Sequence, residues 1–456
     1  MLKGLGKLQV NIVLLVAAAA LWVTLAFMHF NQIRLHAVNI PASDEWEILN
    51  NDANLTLKDP AWIFSQQNEH RIVPTKLINV IFAYATDWNL ALQIMFNFFI
   101  YLGLVLYLTF LLAKLVPDQR WIPVLSSIFL LTTLPWEDHF WAFQSCFHFL
   151  ILASLWCCHL FLYKTAGPTQ VWSRILAALT CIYALYAGIL VSLTLLGLMG
   201  VRLFYDHRVK KHKGTTKSFA AFALLTASIA VACWAYFQFG YVKRQTSLDQ
   251  LALPYQWTYW EYFFNLVGLG FGAIQINWKV GFVLFVLSYA PVLILLWQRR
   301  KNLRKEDWLL LGLYGAVTVI LASIAVGRGA AFGVSQSKSS RYAEFASLLI
   351  PLMLTSWYVV LQKQKHVAAG AFALLCLLTA YSVRHSWNFQ EVYKDAWTFR
   401  NAGRDCVFQY YSNQGDGTCS TIFPWGSIKD RLEFARSLKV SFYKEWEARA
   451  ARTSAQ

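Results

Sequence analysis

Apolar and polar positions along the chain fall into long apolar runs separated by short polar connections. A helix needs about 20 consecutive apolar residues to cross a bilayer. The pattern predicts a first span ending near Phe30, a second over Leu90–Ala113, and a third ending near Leu134. The segment 135–141 reverses the chain into a fourth span that ends near Tyr163. Two more fill 172–204 and reverse near Gly188; another covers 218–239. One ends at Arg299-Arg300-Lys301, one starts at Trp308, and the last two cover 342–361 and 367–383. The expected fold class is therefore an all-α polytopic membrane protein with about 11 spans. The expected division is a transmembrane helical domain, 1–385, and a small polar tail, 386–456.

The connections differ in kind. The first polar stretch, 31–88, is large and acidic, with Asp44, Glu45, Glu47, Asp52, Asp59 and Glu69. Its apolar piece 77–85 is too short to cross alone and fits an interfacial helix leading into the second span. The loop 241–278 is aromatic, with Tyr255, Trp257, Tyr259 and Trp260, and glycine-rich at 268–272. A third polar loop covers 327–341.

Composition narrows the class. Hydrophobic residues make up 57% and charged residues 14%, with a mean hydropathy of +0.42. Soluble domains carry about 25% charge, so a soluble enzyme, a disordered chain and a fibrous repeat are excluded. The runs do not alternate apolar with polar, which excludes a transmembrane barrel.

The net charge of +16 has a topological reading. Basic residues cluster at Lys114, at Arg208, Lys210, Lys211, Lys213 and Lys217, at 299–305, and at Lys363 and Lys365. By the positive-inside rule these segments face the cytoplasm, as does Lys3-Gly4-Leu5-Gly6-Lys7 at the start of an uncleaved first span. The acidic and aromatic loops and the C-terminus then fall outside, and no nucleic-acid partner is implied. Polar residues inside the spans are few, so no ion relay is expected.

Four clusters at the outer face could carry chemistry. Asp44-Glu45 lies just after the first span. A carboxylate there can act as general base on a hydroxyl or hold a divalent cation beside a phosphate; a solvated acidic loop has the same composition. Asn68-Glu69-His70-Arg71 sets an acid, an imidazole and a guanidinium side by side; Arg71 suits a phosphate, or equally lipid headgroups. Trp136-Glu137-Asp138-His139 adds acids and a histidine that interfacial anchoring by aromatics does not explain. Arg328, Lys338 and Arg341 form a cationic loop on the face where cations are disfavoured. The aromatic group around Trp260 fits an interfacial belt or a sugar platform.

Six of the eight cysteines lie in spans, and no Cys/His spacing suggests zinc. Cys406 and Cys419 lie in the tail: a disulfide if the tail is extracytoplasmic, two free thiols if it is not.

Together these clusters resemble the GT-C superfamily of polytopic glycosyltransferases, with Asp44-Glu45 at the position of the acidic motif in the first outer loop. More narrowly, the chain is similar to a group of uncharacterised bacterial GT-C-like proteins. The likeness rests on Asn68-Glu69-His70-Arg71, on Trp136-Glu137 with Trp141-Ala142-Phe143-Gln144, and on Gly327-Arg328 with Ser340-Arg341-Tyr342. It covers about the first 360 residues; superfamily members often have a larger soluble C-terminal domain than this tail, which is expected to shield or shape the site.

The resemblance implies a bacterial inner-membrane enzyme that moves a sugar from a polyprenyl-phosphate donor to a glycan or glycolipid acceptor. Asp44 would be the base, with Glu45, Glu69 or Glu137 able to replace or orient it. Arg341, with Arg71 or Arg328 and Tyr342, would hold the donor phosphate. His70, Glu137, His139, Gln144 and Trp260 would contact substrate. Inversion follows from one displacement, and a divalent cation is allowed but not required. A transporter or lipid flippase, a glycan polymerase or ligase of another fold, and a membrane scaffold are the rival readings.

Overall fold

The computed structural model describes residues 7–51, 53–164, 170–209, 215–242 and 251–454. Lys3, Asp52, Lys210, Lys211 and Lys213 lie outside the described residues, as does the stretch 243–250 of the aromatic loop. The described residues are helical and turn-like; one isolated antiparallel bridge joins Gln67 to His70.

Among the described residues eight helices are long and apolar enough to cross a membrane: Gln9–His36, Leu90–Ala113, Ala142–Tyr163, Ala187–Arg208, Lys217–Gln238, Trp278–Arg299, Lys305–Arg328 and Ser340–Leu361. Three shorter apolar helices, Trp121–Leu131, Val171–Ala184 and His366–Ser382, fall where the remaining apolar runs lie. The chain is thus a helical polytopic membrane protein, with eight candidate spans by length among the described residues.

Large apolar side chains point outward along these helices, among them Val16, Phe27, Phe99, Val231, Val283 and Leu377. Such a surface suits hydrocarbon and not water. Small residues set the closest helix contacts. A Cβ at Gly281 would lie 1.7 Å from the Phe264 carbonyl oxygen, and one at Gly270 would lie 2.4 Å from the Ala346 backbone. These glycines let backbones touch where no hydrophobic drive brings helices together.

That packing revises the aromatic loop. Residues 257–270 form the helix Trp257–Gly270, and nearly all of Tyr262 to Gly270 is buried against Trp278–Arg299 and Ala343–Ser347. At 14 residues it is too short to read as a span. The piece 77–85 is the inner part of the helix Val73–Thr86, which buries Ile78 and Val80 while exposing Leu77, Ile81 and Tyr84.

The bundle has two unlike ends. At one, Asn11 donates to the Asp118 carbonyl at 2.9 Å, Lys305 caps the Tyr163 ring, and Arg299 pairs with Asp307 at 2.5 Å. Most basic connections gather here. At the other end lie the first loop, the segment 132–144, the loop 328–341 and the C-terminal tail.

The tail is built into that second end. Its helices are Phe389–Tyr411, Lys429–Ser437 and Ser441–Ser454. Tyr393 reaches into the bundle, where its hydroxyl bonds His29 and also His139 Nδ1 at 3.2 Å. Arg400 donates to the carbonyls of Phe140 at 2.8 Å and Ile40 at 3.2 Å. The Ser43 N–H donates to the Ile422 carbonyl at 2.6 Å, and Arg431 pairs with Glu47 at 3.1 Å. Cys406 and Cys419 are joined in a disulfide that ties the long tail helix to the loop carrying Ile422.

Candidate functional site

A cavity of about 1320 Å³ opens at the end where the tail docks. Its wall draws on all four sequence clusters. The first loop supplies Ser43, Asp44 and Glu47; the second cluster supplies Asn68 and Glu69. The reversal supplies Trp136, Glu137 and Trp141, and the late loop Arg328, Lys338 and Arg341.

Local chain geometry explains the placement of the first cluster. After the first span helix the chain is extended, and a 3-10 segment, Ser43–Asn50, begins at a left-handed Ser43, φ 48°. Glu45 closes that segment: its Oε2 accepts from the Ala42 N–H at 2.9 Å. Its Oε1 accepts from the Phe143 N–H at 2.9 Å, and Arg400 pairs with it at 3.6 Å. Both members of the pair are buried; burial raises the Glu45 carboxyl and lowers the Arg400 guanidinium, while their attraction opposes both shifts. Glu45 therefore holds the loop, and its neighbour Asp44 is the acid at the cavity wall. Asp44 accepts from Asn68 Nδ2 at 3.1 Å, which joins the first cluster to the second.

The two halves of the second cluster separate. Glu69 lines the cavity, half-buried, with Arg328 4.0 Å away. Arg71 does not line it. Arg71 is buried, with Nε donating to the Tyr236 carbonyl at 2.9 Å and its other nitrogens to the carbonyls of Phe64 and Phe239. A guanidinium with its donors placed on three backbone carbonyls is a structural clamp, which corrects the phosphate role expected of it. His70 is half-buried, in the turn bridged to Gln67, and is not among the lining residues.

In the third cluster, Glu137 faces the cavity and accepts from Ser339 Oγ at 3.3 Å. His139 is buried behind it among His29, Tyr101 and Tyr393. Burial and the neighbouring histidines push its imidazole well below the usual range, toward the neutral form. Gln144 is buried as well. Both are corrected from substrate contacts to packed interior groups.

Among the cations, Arg341 lies within electrostatic reach of Asp44, Glu137 and Asp138, and its Nε meets no acceptor among the described residues. Lys338 donates to the carbonyls of Ala273 at 2.7 Å and Asn265 at 3.0 Å, and burial lowers it to about 8. Tyr342 is buried under Arg341, 5.4 Å from the guanidinium, rather than in the wall. Trp260 lies away from the cavity, its Nε1 on the Pro254 carbonyl at 2.8 Å.

The tail closes the site with Val392, Asp395, Phe399, Arg400, Phe423 and Trp425. Trp425 is 62% exposed and Phe399 50%. No motif in the tail marks these residues; the only hint is that Phe423 and Trp425 follow Cys419 closely. Asp138, Glu344 and His148 are also buried together behind the wall. Neither Glu344 nor His148 belongs to the four sequence clusters; the signal that could have found them is that each is an ionisable residue within an apolar run.

No protein-family model matches the chain, and no curated protein matches its sequence. Among the described residues no group of three or more His, Cys, Asp or Glu side chains is arranged to hold a metal ion. The wall thus offers carboxylates, guanidiniums, an amine and aromatic faces: groups that bind an anion, abstract a proton and pack against a ring.

Proposed function

We propose that the protein is a glycosyltransferase of the GT-C type, acting on a polyprenyl-phosphate sugar at the extracytoplasmic face of the bacterial inner membrane. The observation that carries this reading is the cavity at the less basic end of an apolar bundle, lined by Asp44, Glu69 and Glu137 together with Arg328, Lys338 and Arg341. The positive-inside rule sets that end outside, with the N-terminus in the cytoplasm and the C-terminus outside; eleven crossings follow if the three short apolar helices also span.

Asp44 takes the proton of an acceptor hydroxyl as it attacks the anomeric carbon of the donor. The carbon–phosphate oxygen bond breaks, and the lipid phosphate leaves with the electron pair. Arg341 and Lys338, with Arg328, stabilise the growing charge. A phosphate leaves without protonation, so one base suffices and the sugar inverts in a single displacement. Glycan or glycolipid acceptors fit the aromatic wall of Trp136, Trp141, Phe399 and Trp425.

The test is mass spectrometry of envelope glycans and lipid-linked sugars from a deletion strain complemented with wild type, Asp44→Asn or Arg341→Ala. One sugar should vanish on deletion and return with wild type alone. Unchanged glycans, or full rescue by Asp44→Asn at normal protein levels, overturn the reading. The buried Asp138–Glu344–His148 group favours a second one: a flippase or transporter of the same lipid-linked anion. In that case deletion changes the side of the membrane on which the sugar lipid accumulates, and its structure stays the same.

A further inference from the structure

Asp138, on the short helix Trp136–Phe140, is fully buried although its neighbour Glu137 lines the cavity. Glu344 reaches it from Ala343–Ser347 and His148 from Ser145–Cys157. Glu344 Oε1 lies 2.7 Å from His148 Nδ1. No donor among the described residues meets either oxygen of Asp138, Oε2 of Glu344, or acts as partner to His148 Nε2. The carboxylate that acts most strongly on Asp138 is that of Glu344.

Two carboxylates cannot share a hydrogen bond unless one of them carries a proton, and in a buried site they cannot both be charged. A single proton on Asp138 resolves the arrangement. The Asp138 hydroxyl can then donate to Glu344, whose Oε1 stays on His148 Nδ1 at 2.7 Å.

We infer that Asp138, Glu344 and His148 form a binding site for one exchangeable proton, held on Asp138 and exchanged when an anion occupies the cavity beside Arg341. Arg341 lies within electrostatic reach of Asp138 across the wall. With the cavity empty, its charge weakens the hold of Asp138 on that proton. An anion on Arg341 cancels that charge, so Asp138 holds its proton more tightly, and above the midpoint of Asp138 anion binding draws a proton in from solvent. By reciprocity, added protons strengthen anion binding.

The other groups around the site do not replace this coupling. Glu137 faces Asp138 from the cavity side. Tyr101 comes from Leu90–Ala113, its ring 5.4 Å from His148 and 4.7 Å from His139. His29 packs on His139 at 4.6 Å, and Cys146 adjoins both acids. None of these supplies a second cation to hold both acids ionised. The inference holds whether the protein transfers or transports its ligand.

The test uses the purified full chain in detergent. Infrared spectra taken over a pH series should show the carbonyl stretch of a protonated carboxylic acid at neutral pH, lost in Asp138→Asn. Absence of the band from wild type overturns the site, as does its persistence in both Asp138→Asn and Glu344→Gln. The wild-type titration stands even if a variant fails to fold. For the coupling, the probe is decyl sulfate, whose single charge does not change with pH, and the background is Lys338→Arg, which keeps that cation charged. Affinity should fall up to about tenfold per pH unit above the midpoint of the band, the limit for one linked proton. In Lys338→Arg with Asp138→Asn it should be flat. A flat profile in both overturns the coupling. These readouts need neither sugar nor acceptor, so failure of the proposed transfer reaction leaves them intact.

Discussion

Arg71 and Arg341 carry the same side chain into opposite roles, and the difference lies in what their donors meet. Arg71 is saturated by backbone carbonyls; Arg341 has a nitrogen with no acceptor and faces the cavity. Arg341→Ala should therefore weaken binding of an alkyl phosphate by about 1.5–3 kcal/mol, the scale of a charge-assisted hydrogen bond, with little change in thermal midpoint. Arg71→Ala should do the reverse, which paired binding and melting measurements can check. Asp44→Asn should lower turnover by about 10²–10⁴-fold, the usual contribution of a general base. Lys338 adds a pH dependence. Its amine, lowered to about 8 by burial, is charged below that pH and neutral above it. Anion affinity should fall as pH rises through about 8. Its effect on folding has the opposite sign: the unfolded chain binds this proton more tightly, so the burial penalty fades as pH rises from about 8 toward the ordinary lysine value. Residue type made Asp44, Arg328 and Arg341 legible as candidates. It could not separate Glu45 from Asp44, because only the pairing of Glu45 with Arg400 and Phe143 withdraws it from the cavity.

The elements divide in the same way. Helices rich in aliphatic residues announced themselves by length. Trp257–Gly270 did not, since its aromatic start and its glycines read as a loop, while in three dimensions those glycines mark backbone contact. The tail helix Phe389–Tyr411 was equally hidden. Its anchors Tyr393 and Arg400 bond partners more than 250 residues earlier, and no local pattern encodes such distant pairs. Glu45→Gln should strand Arg400 without its counter-charge and lower the unfolding midpoint, the typical cost being about 3–5 kcal/mol. A Glu45→Gln, Arg400→Met double variant should recover part of that loss in the same melt. The disulfide makes a separate prediction. Under denaturing, non-reducing conditions an alkylating reagent should modify six cysteines, leaving Cys406 and Cys419 until reductant is added.

At the scale of the whole molecule, charge and shape point the same way. The connections at one end carry nearly all of the net positive charge, because few acids offset their lysines and arginines; the other end carries the cavity. A periplasmic reporter fused after Gln456 should be active, and a cytoplasmic one silent. The opposite result would turn the bundle over and place the cavity on the side of nucleotide-activated substrates.

The contact between Arg431 and Asn50, 2.7 Å across 381 residues of sequence, also has a temporal side. The ribosome adds about 5–20 residues per second, so the first loop waits roughly 20–80 s for the segment that completes its wall. Through that interval Asp44 belongs to an unfinished bowl, which Arg341 joins only late, open to whatever lipids pass. A premature stop codon between Tyr411 and Arg431 would leave an inserted bundle with Tyr393 and Arg400 still docked but a cavity that never closes. Such alleles should behave as loss of function while the truncated protein still accumulates in the membrane.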